Sequence, residues 1–151
     1  MVPEDPSTAA GRSTLLTGLS EPTIARLAET GGPGSLVGAL EIRHLGGAAA
    51  RAPEHPSAVS HRDAAYLLAT HAAPVDEAEA ADINASVEAV LADITGDVHG
   101  GRLLNFLHHD STVEEVRTAY DDATYRRLRE VKRTYDPHNV LRLNHNIPPA
   151  A

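Results

Sequence analysis

The sequence predicts an α+β fold, a small antiparallel sheet covered by helices on one face. Three observations point there. Apolar residues recur at helical spacing over Pro22–Thr30, Asp76–Thr95 and Ala123–Thr134. Between the helical stretches lie short runs that read as strands: Ser35–Leu45, His61–His71 and Arg102–Leu107. No G-x-G-x-x-G and no P-loop opens any helix, so the usual marks of a parallel nucleotide-binding sheet are missing from these 151 residues. Strands interleaved with helices in this way suggest one helical layer on one thin sheet.

Each element has a local reason. Residues 1–12 are rich in Pro, Ser, Thr and Ala and read as a flexible lead-in. Ser20 is an N-cap candidate for the first helix, whose stripe is Ile24, Leu27 and Ala28, and Gly31-Gly32-Pro33-Gly34 stops it. In the first strand, Leu40, Ile42 and His44 face one side, and Glu41 and Arg43 the other. Gly46-Gly47 then permits a bend, and the stretch from Ala48 to Ser60 reads as a loop or an edge piece. The second strand, rich in alanine, ends at Pro74. Asp76 with Glu79 resembles a capping box, and Ile83, Val87, Val90, Leu91 and Ile94 make one helix face. Arg102–Leu107 is the third strand candidate. Ser111 with Glu114 resembles a second capping box, for a helix running to Ala119. Asp121 or Asp122 caps the last helix, with Tyr125, Leu128 and Val131 inward, and Pro137 ends it. The expected division is a lead-in over 1–12, an α+β unit over 13–110 and a helical C-terminal segment over 111–151.

Composition narrows the function classes. The hydrophobic share of 42% is ordinary, but aromatics are only 3%, so the core rests on Ala, Leu and Val. The absence of cysteine excludes thiolate metal sites and a cysteine nucleophile. A net charge of −8 argues against a nucleic-acid partner, although the stretch from Ser111 onward is slightly basic. No apolar run reaches the length of a membrane span, about 18 residues, and the N-terminus lacks the basic start of a signal peptide. The expectation is a cytoplasmic protein without membrane association. Nine histidines invite a metal reading, but His108-His109-Asp110 fits no standard ligand spacing, and no metal site is expected. No serine sits in a nucleophile elbow.

Several motifs in order carry a family resemblance. They are Glu41-Ile-Arg-His-Leu-Gly-Gly-Ala48, His61-Arg62-Asp63-Ala64, Gly101-Arg-Leu-Leu-Asn105-Phe106, Tyr125-Arg-Arg-Leu128, Val131-Lys132, Tyr135-Asp136-Pro137, Asn139-Val140 and Asn144-His-Asn146-Ile147. Together they resemble the C-terminal, substrate-side portion of berberine-bridge-enzyme-like FAD-linked oxidoreductases. The resemblance implies part of a substrate domain whose sheet lies over the flavin, and a C-terminal segment that returns to an FAD-binding domain with no counterpart in this chain. It also implies that Glu41 and Arg43 line a substrate pocket, where the alternative is a solvated ion pair. Tyr66, Leu103 and Asn105 join them as substrate-side candidates. The relatives' proton-abstracting tyrosine falls at Leu103, so no catalytic residue is assigned. Asn144 and Asn146 are candidates for contact with the cofactor, or simply turn residues.

FAD is therefore expected only with a separately supplied FAD-binding domain, and none with the chain alone. The expected partner is a separate FAD-binding polypeptide or a second copy of this chain, with a small-molecule substrate. A stand-alone binding or dimerising module is the alternative.

Overall fold

The computed structural model describes residues 9–151. The chain forms strand β1 (Ser13–Leu16), helix α1 (Glu21–Thr30), strands β2 (Ala39–His44) and β3 (Tyr66–His71), and helix α2 (Glu77–Asp93). A 3₁₀ turn (Leu104–Phe106) and helices α3 (Val113–Arg117) and α4 (Asp122–Tyr135) follow. The three strands lie in the order β1-β3-β2, antiparallel throughout. The α+β architecture expected from the sequence is the one observed.

The third strand is not where periodicity placed it. It is Ser13–Leu16, and all four of its residues are buried. Alternation marks a strand with one wet face, and this strand has none, so it carries no period-2 signal. Arg102–Leu107 instead curls into the 3₁₀ turn. Its i and i+3 residues eclipse in that geometry, so Leu103 and Phe106 both reach the cluster of Leu15, Ala64 and Leu67. The Ser13 hydroxyl donates to the Phe106 carbonyl at 2.6 Å, and the Arg102 guanidinium donates to the Ser13 carbonyl. The turn is thereby tied to β1. Of the lead-in expected over 1–12, residues 1–8 lie outside the described residues. Ala10 bridges Ala72, and the Arg12 carbonyl accepts from the Thr70 amide.

The two sheet faces differ. Leu16 and Leu68 meet Leu27 of α1 and Val90 and Ile94 at the end of α2, with Leu40 and Tyr66 at the margin. This helix-covered face is the main core. The other face carries the smaller cluster under the 3₁₀ turn, and its β2 portion, Glu41 and Arg43, has no helix over it.

Local signals placed the helices well. Asp76 caps α2 by accepting from the Glu79 amide, and the Glu79 carboxylate accepts from the Val75 amide. Asp121 caps α4 through the Thr124 amide. Two details differ from expectation. Ser20 is the N-cap of α1, but its hydroxyl meets Asp97 and the Thr23 hydroxyl and caps no helix amide. The inward residues of α1 are Thr23 and Leu27, and Ile24 is 52% exposed. The second capping box sits one residue later than expected. Thr112 and Glu115 form it, each side chain meeting the other's backbone amide.

Candidate functional site

The site is built on the helix-free face of β2. Alternation along the strand puts Glu41 and Arg43 side by side, and their side chains form an ion pair. The Arg43 guanidinium also lies 4.9 Å from the centre of the Phe106 ring, a cation–π arrangement that aims it along the surface. Antiparallel pairing sets Ala39 against His71, and the His71 ring brings Nε2 to 3.8 Å from the second Glu41 oxygen. The Arg43 hydrogen bond outweighs the effect of burial and, with the His71 charge, holds the Glu41 pKa below its ordinary value. Glu41 is thus an ionised acceptor at neutral pH, with Arg43 a donor beside it.

A cleft of about 220 Å³ opens next to this pair, lined by Arg12, His71, Asn105, Phe106 and His108 among others. His71 therefore links the ion pair to the cleft. His108 is another lining residue. Its Nδ1 meets Asp110 at 3.0 Å, and its Nε2 is buried with no hydrogen-bond partner among the described residues. Arg12 reaches both Glu88, at 3.2 Å, and Asp110, at 3.5 Å. His71, Phe106, His108 and Arg12 were not singled out for this site from sequence. Strand pairing and the 3₁₀ turn bring them there, so no local pattern announces them. The one available signal was the single step of alternation from Ala69 to His71.

The five substrate-side candidates do not form one cluster. Glu41, Arg43 and Asn105 lie on or beside the helix-free face, with Asn105 exposed in the cleft wall. Leu103 is on the same side but packs inward on Leu15, Ala64 and Leu67. Tyr66 lies opposite His44, ring centres 5.4 Å apart, and packs with the helix-side core. Residues paired directly across two strands share a face, and His44 is on the face away from Glu41. Tyr66 is therefore separated from the ion pair by the thickness of the sheet.

The C-terminal segment folds back on α4. Asp136 accepts from Lys132 at 2.6 Å and from the amides of Val140 and Leu141. Lys132 also donates to the Leu141 carbonyl, and Arg129 donates to the carbonyls of Pro148 and Pro149. Asn144 has φ +63°, the left-handed region that asparagine tolerates. The Asn146 amide donates to the Asn144 carbonyl at 2.9 Å, so the two form a turn and not a strand. The Asn146 side-chain oxygen is buried without a partner among the described residues. Among those residues no three His, Asp or Glu side chains converge on a metal's reach, and no helix is long and apolar enough to cross a membrane.

Known proteins share this fold. Residues 104–148 match the family described as berberine and berberine like. An uncharacterized FAD-linked oxidoreductase of Bacillus subtilis, YvdP, is 31% identical over 105 residues, covering 70% of this chain and 23% of that protein. The solved structure of Physcomitrella patens BBE-like 1 superposes with a TM-score of 0.78 at 19% identity, over 99% of this chain and 32% of its own. The 6-hydroxy-D-nicotine oxidase of Arthrobacter nicotinovorans superposes with a TM-score of 0.66 at 27% identity, over 97% of this chain and 33% of its own. The chain thus resembles part of a berberine-bridge-like FAD-linked oxidoreductase. It spans about a third or less of the relatives it matches.

Proposed function

We propose that the chain is the substrate-facing part of a berberine-bridge-like FAD-dependent oxidoreductase, working against an FAD-binding domain that lies outside residues 1–151. The observation that carries this reading is the Glu41–Arg43 pair with its adjoining cleft. It sits on the face left free by the helices, in a chain whose fold and C-terminal segment resemble that family.

The residues present fit FAD in part. Asn146 has a side-chain acceptor without a partner, and Asn144 holds the turn beside it, so the two could meet the polar edge of an isoalloxazine ring. No glycine-rich phosphate loop occurs in the sequence, so the rest of the cofactor must be held elsewhere. The chemistry supplied by bound FAD is two-electron oxidation of the substrate, with oxygen as terminal acceptor. The chain's own residues bind and orient. Arg43 donates to, and ionised Glu41 accepts from, the polar groups of a small substrate, and Phe106 closes one side. Leu103 can accept no proton, so the proton leaves to a group other than the one at that position. A cytoplasmic location is part of this reading.

The test uses the full chain with and without a co-expressed FAD-binding polypeptide. The chain alone is expected to show no flavin absorbance, even after FAD is added and excess removed, and to make no peroxide. In the assembled enzyme, Arg43→Ala is expected to raise KM about tenfold, the loss of one charge-assisted hydrogen bond, with the flavin spectrum unchanged. Stoichiometric flavin or substrate-dependent peroxide from the chain alone would overturn the proposal.

A further inference from the structure

Taking a hydride from a carbon that bears a hydroxyl also requires that the hydroxyl lose its proton. Few groups around the Glu41–Arg43 pair and its cleft can receive one. Glu41 is held ionised by Arg43 with a lowered pKa, which makes it a weak base. Arg12 and Arg43 are cations, and the side chains of Leu103, Asn105 and Phe106 offer no base. The Ser13 hydroxyl donates to the Phe106 carbonyl and the Thr70 hydroxyl to the Arg12 carbonyl. Of the two histidines, His108 turns Nδ1 to Asp110, and its Nε2 is buried out of a substrate's reach. His71 is the group of this chain that remains. It ends β3, lines the cleft, and its side chain is 59% exposed. The register that sets Ala39 against His71 and Glu41 against Ala69 makes His71 and Glu41 diagonal neighbours on the helix-free face.

We propose that His71 is the catalytic base for oxidation of an alcohol substrate, with Glu41 as its positioning residue and counter-charge. Nε2 faces the second Glu41 oxygen at 3.8 Å, so a neutral ring carries its proton there and its lone pair on Nδ1. The hydroxyl O–H bond breaks to Nδ1, the C–H electron pair leaves for the flavin as hydride, and a carbonyl replaces the alcohol. The substrate thus loses two electrons and two hydrogens, one as hydride and one as the proton on His71, which water removes before the next turnover. The other charged groups facing the cleft have partners of their own. Arg43 is engaged by the first Glu41 oxygen and the Phe106 ring, Arg12 by Glu88 and Asp110, and His108 by Asp110. The second Glu41 oxygen is therefore the counter-charge for a protonated His71. This inference rests on the flavoenzyme reading and names the proton acceptor and substrate class within it.

Two measurements test it. In the chain alone, the Glu41 carboxyl carbon is titrated by NMR. Arg43 is the larger cause of the lowered Glu41 pKa and His71 a further one, so His71→Phe is expected to raise it, by less than Arg43→Ala does. A titration that does not move shows that the two side chains do not meet, and it overturns the proposal. In the assembled enzyme, the readout is anaerobic bleaching of the flavin by a panel of hexoses, pentoses, and aliphatic and benzylic alcohols. The wild type is expected to bleach with at least one of them, at a rate that falls at acid pH as the base is protonated. His71→Ala is expected to slow bleaching about 100-fold or more, to lose that acid limb and to be revived by added imidazole, with the starting flavin spectrum unchanged. A His71→Ala enzyme as fast as the wild type, or an acid limb that disappears in His108→Gln instead, overturns the proposal and leaves the flavoenzyme reading standing. So does a flavin-loaded wild type that no alcohol bleaches. An assembly that holds no flavin overturns that reading, and this inference with it.

Discussion

Asp136 accepts three hydrogen bonds at the end of α4, from Lys132 and from the amides of Val140 and Leu141. The Lys132 bond comes first among the reasons that its pKa falls from 3.8 to about 2. A carboxyl whose folded pKa is depressed stabilises the fold above its unfolded pKa and loses that contribution as pH falls through the folded one. Asp136 therefore supports the C-terminal turn fully above about pH 4, and the support fades between there and about pH 2. Asp136→Asn should be less stable than the wild type at pH 7 in urea unfolding, and the gap should close as pH approaches 2. A gap that persists at pH 2 would place the role of Asp136 in packing instead of charge. Glu41 is the corresponding case at the site. Arg43 lowers its pKa, so the carboxylate stays charged wherever a neutral-pH substrate would meet it.

Among the elements, α3 shows how finely a cap is placed. Two box-like pairs occur in register, Ser111 with Glu114 and Thr112 with Glu115, and spacing alone does not separate them. The chain uses the second, because Thr112 has the extended backbone of an N-cap and Val116 must point inward, where it is 1% exposed. Thr112→Ala should therefore cost about 1 kcal/mol. Ser111→Ala should change stability by less than about 0.5 kcal/mol, as a surface substitution away from such a contact. Thermal or chemical unfolding of the two variants checks this directly. The 3₁₀ turn shows the opposite relation. Leu103-Leu-Asn-Phe106 has strand-like composition, but Leu103 and Phe106 both find the same cluster only when the chain curls.

For the molecule as a whole, stability is concentrated on β3. It is the central strand, and Leu67, Leu68 and Ala69 are each 1% exposed. Leu68 joins both helices to the sheet, so Leu68→Ala should cost about 2–5 kcal/mol, the usual range for a deep leucine. Urea unfolding monitored by circular dichroism measures it, and a loss below about 1 kcal/mol would show that the core is not organised around this strand. With so few aromatic rings, no larger side chain can compensate from another layer. The same layout positions the site. The helices take one face of the sheet, which leaves Glu41 and Arg43 free on the other, beside a cleft walled by the 3₁₀ turn.

The helices, their caps to within a residue and the two faces of β2 were legible in the amino acids alone. Each depends on neighbours no more than about four residues away, as in the Asp76–Glu79 and Asp121–Thr124 contacts. The family likeness was legible for a related reason, since the motifs around Asn105 and from Tyr125 to Ile147 fall within or beside the matched segment. Only the tertiary structure decided that Ser13–Leu16 is the third strand, that His71 and His108 line a cleft next to Glu41, and that Tyr66 lies on the far side of the sheet. Those facts follow from pairing residues more than twenty positions apart, such as His44 with Tyr66 and Ser13 with Ala69. Strand partners are chosen by burial and register across that distance, and a short buried strand carries no periodicity by which its own residues could reveal the choice.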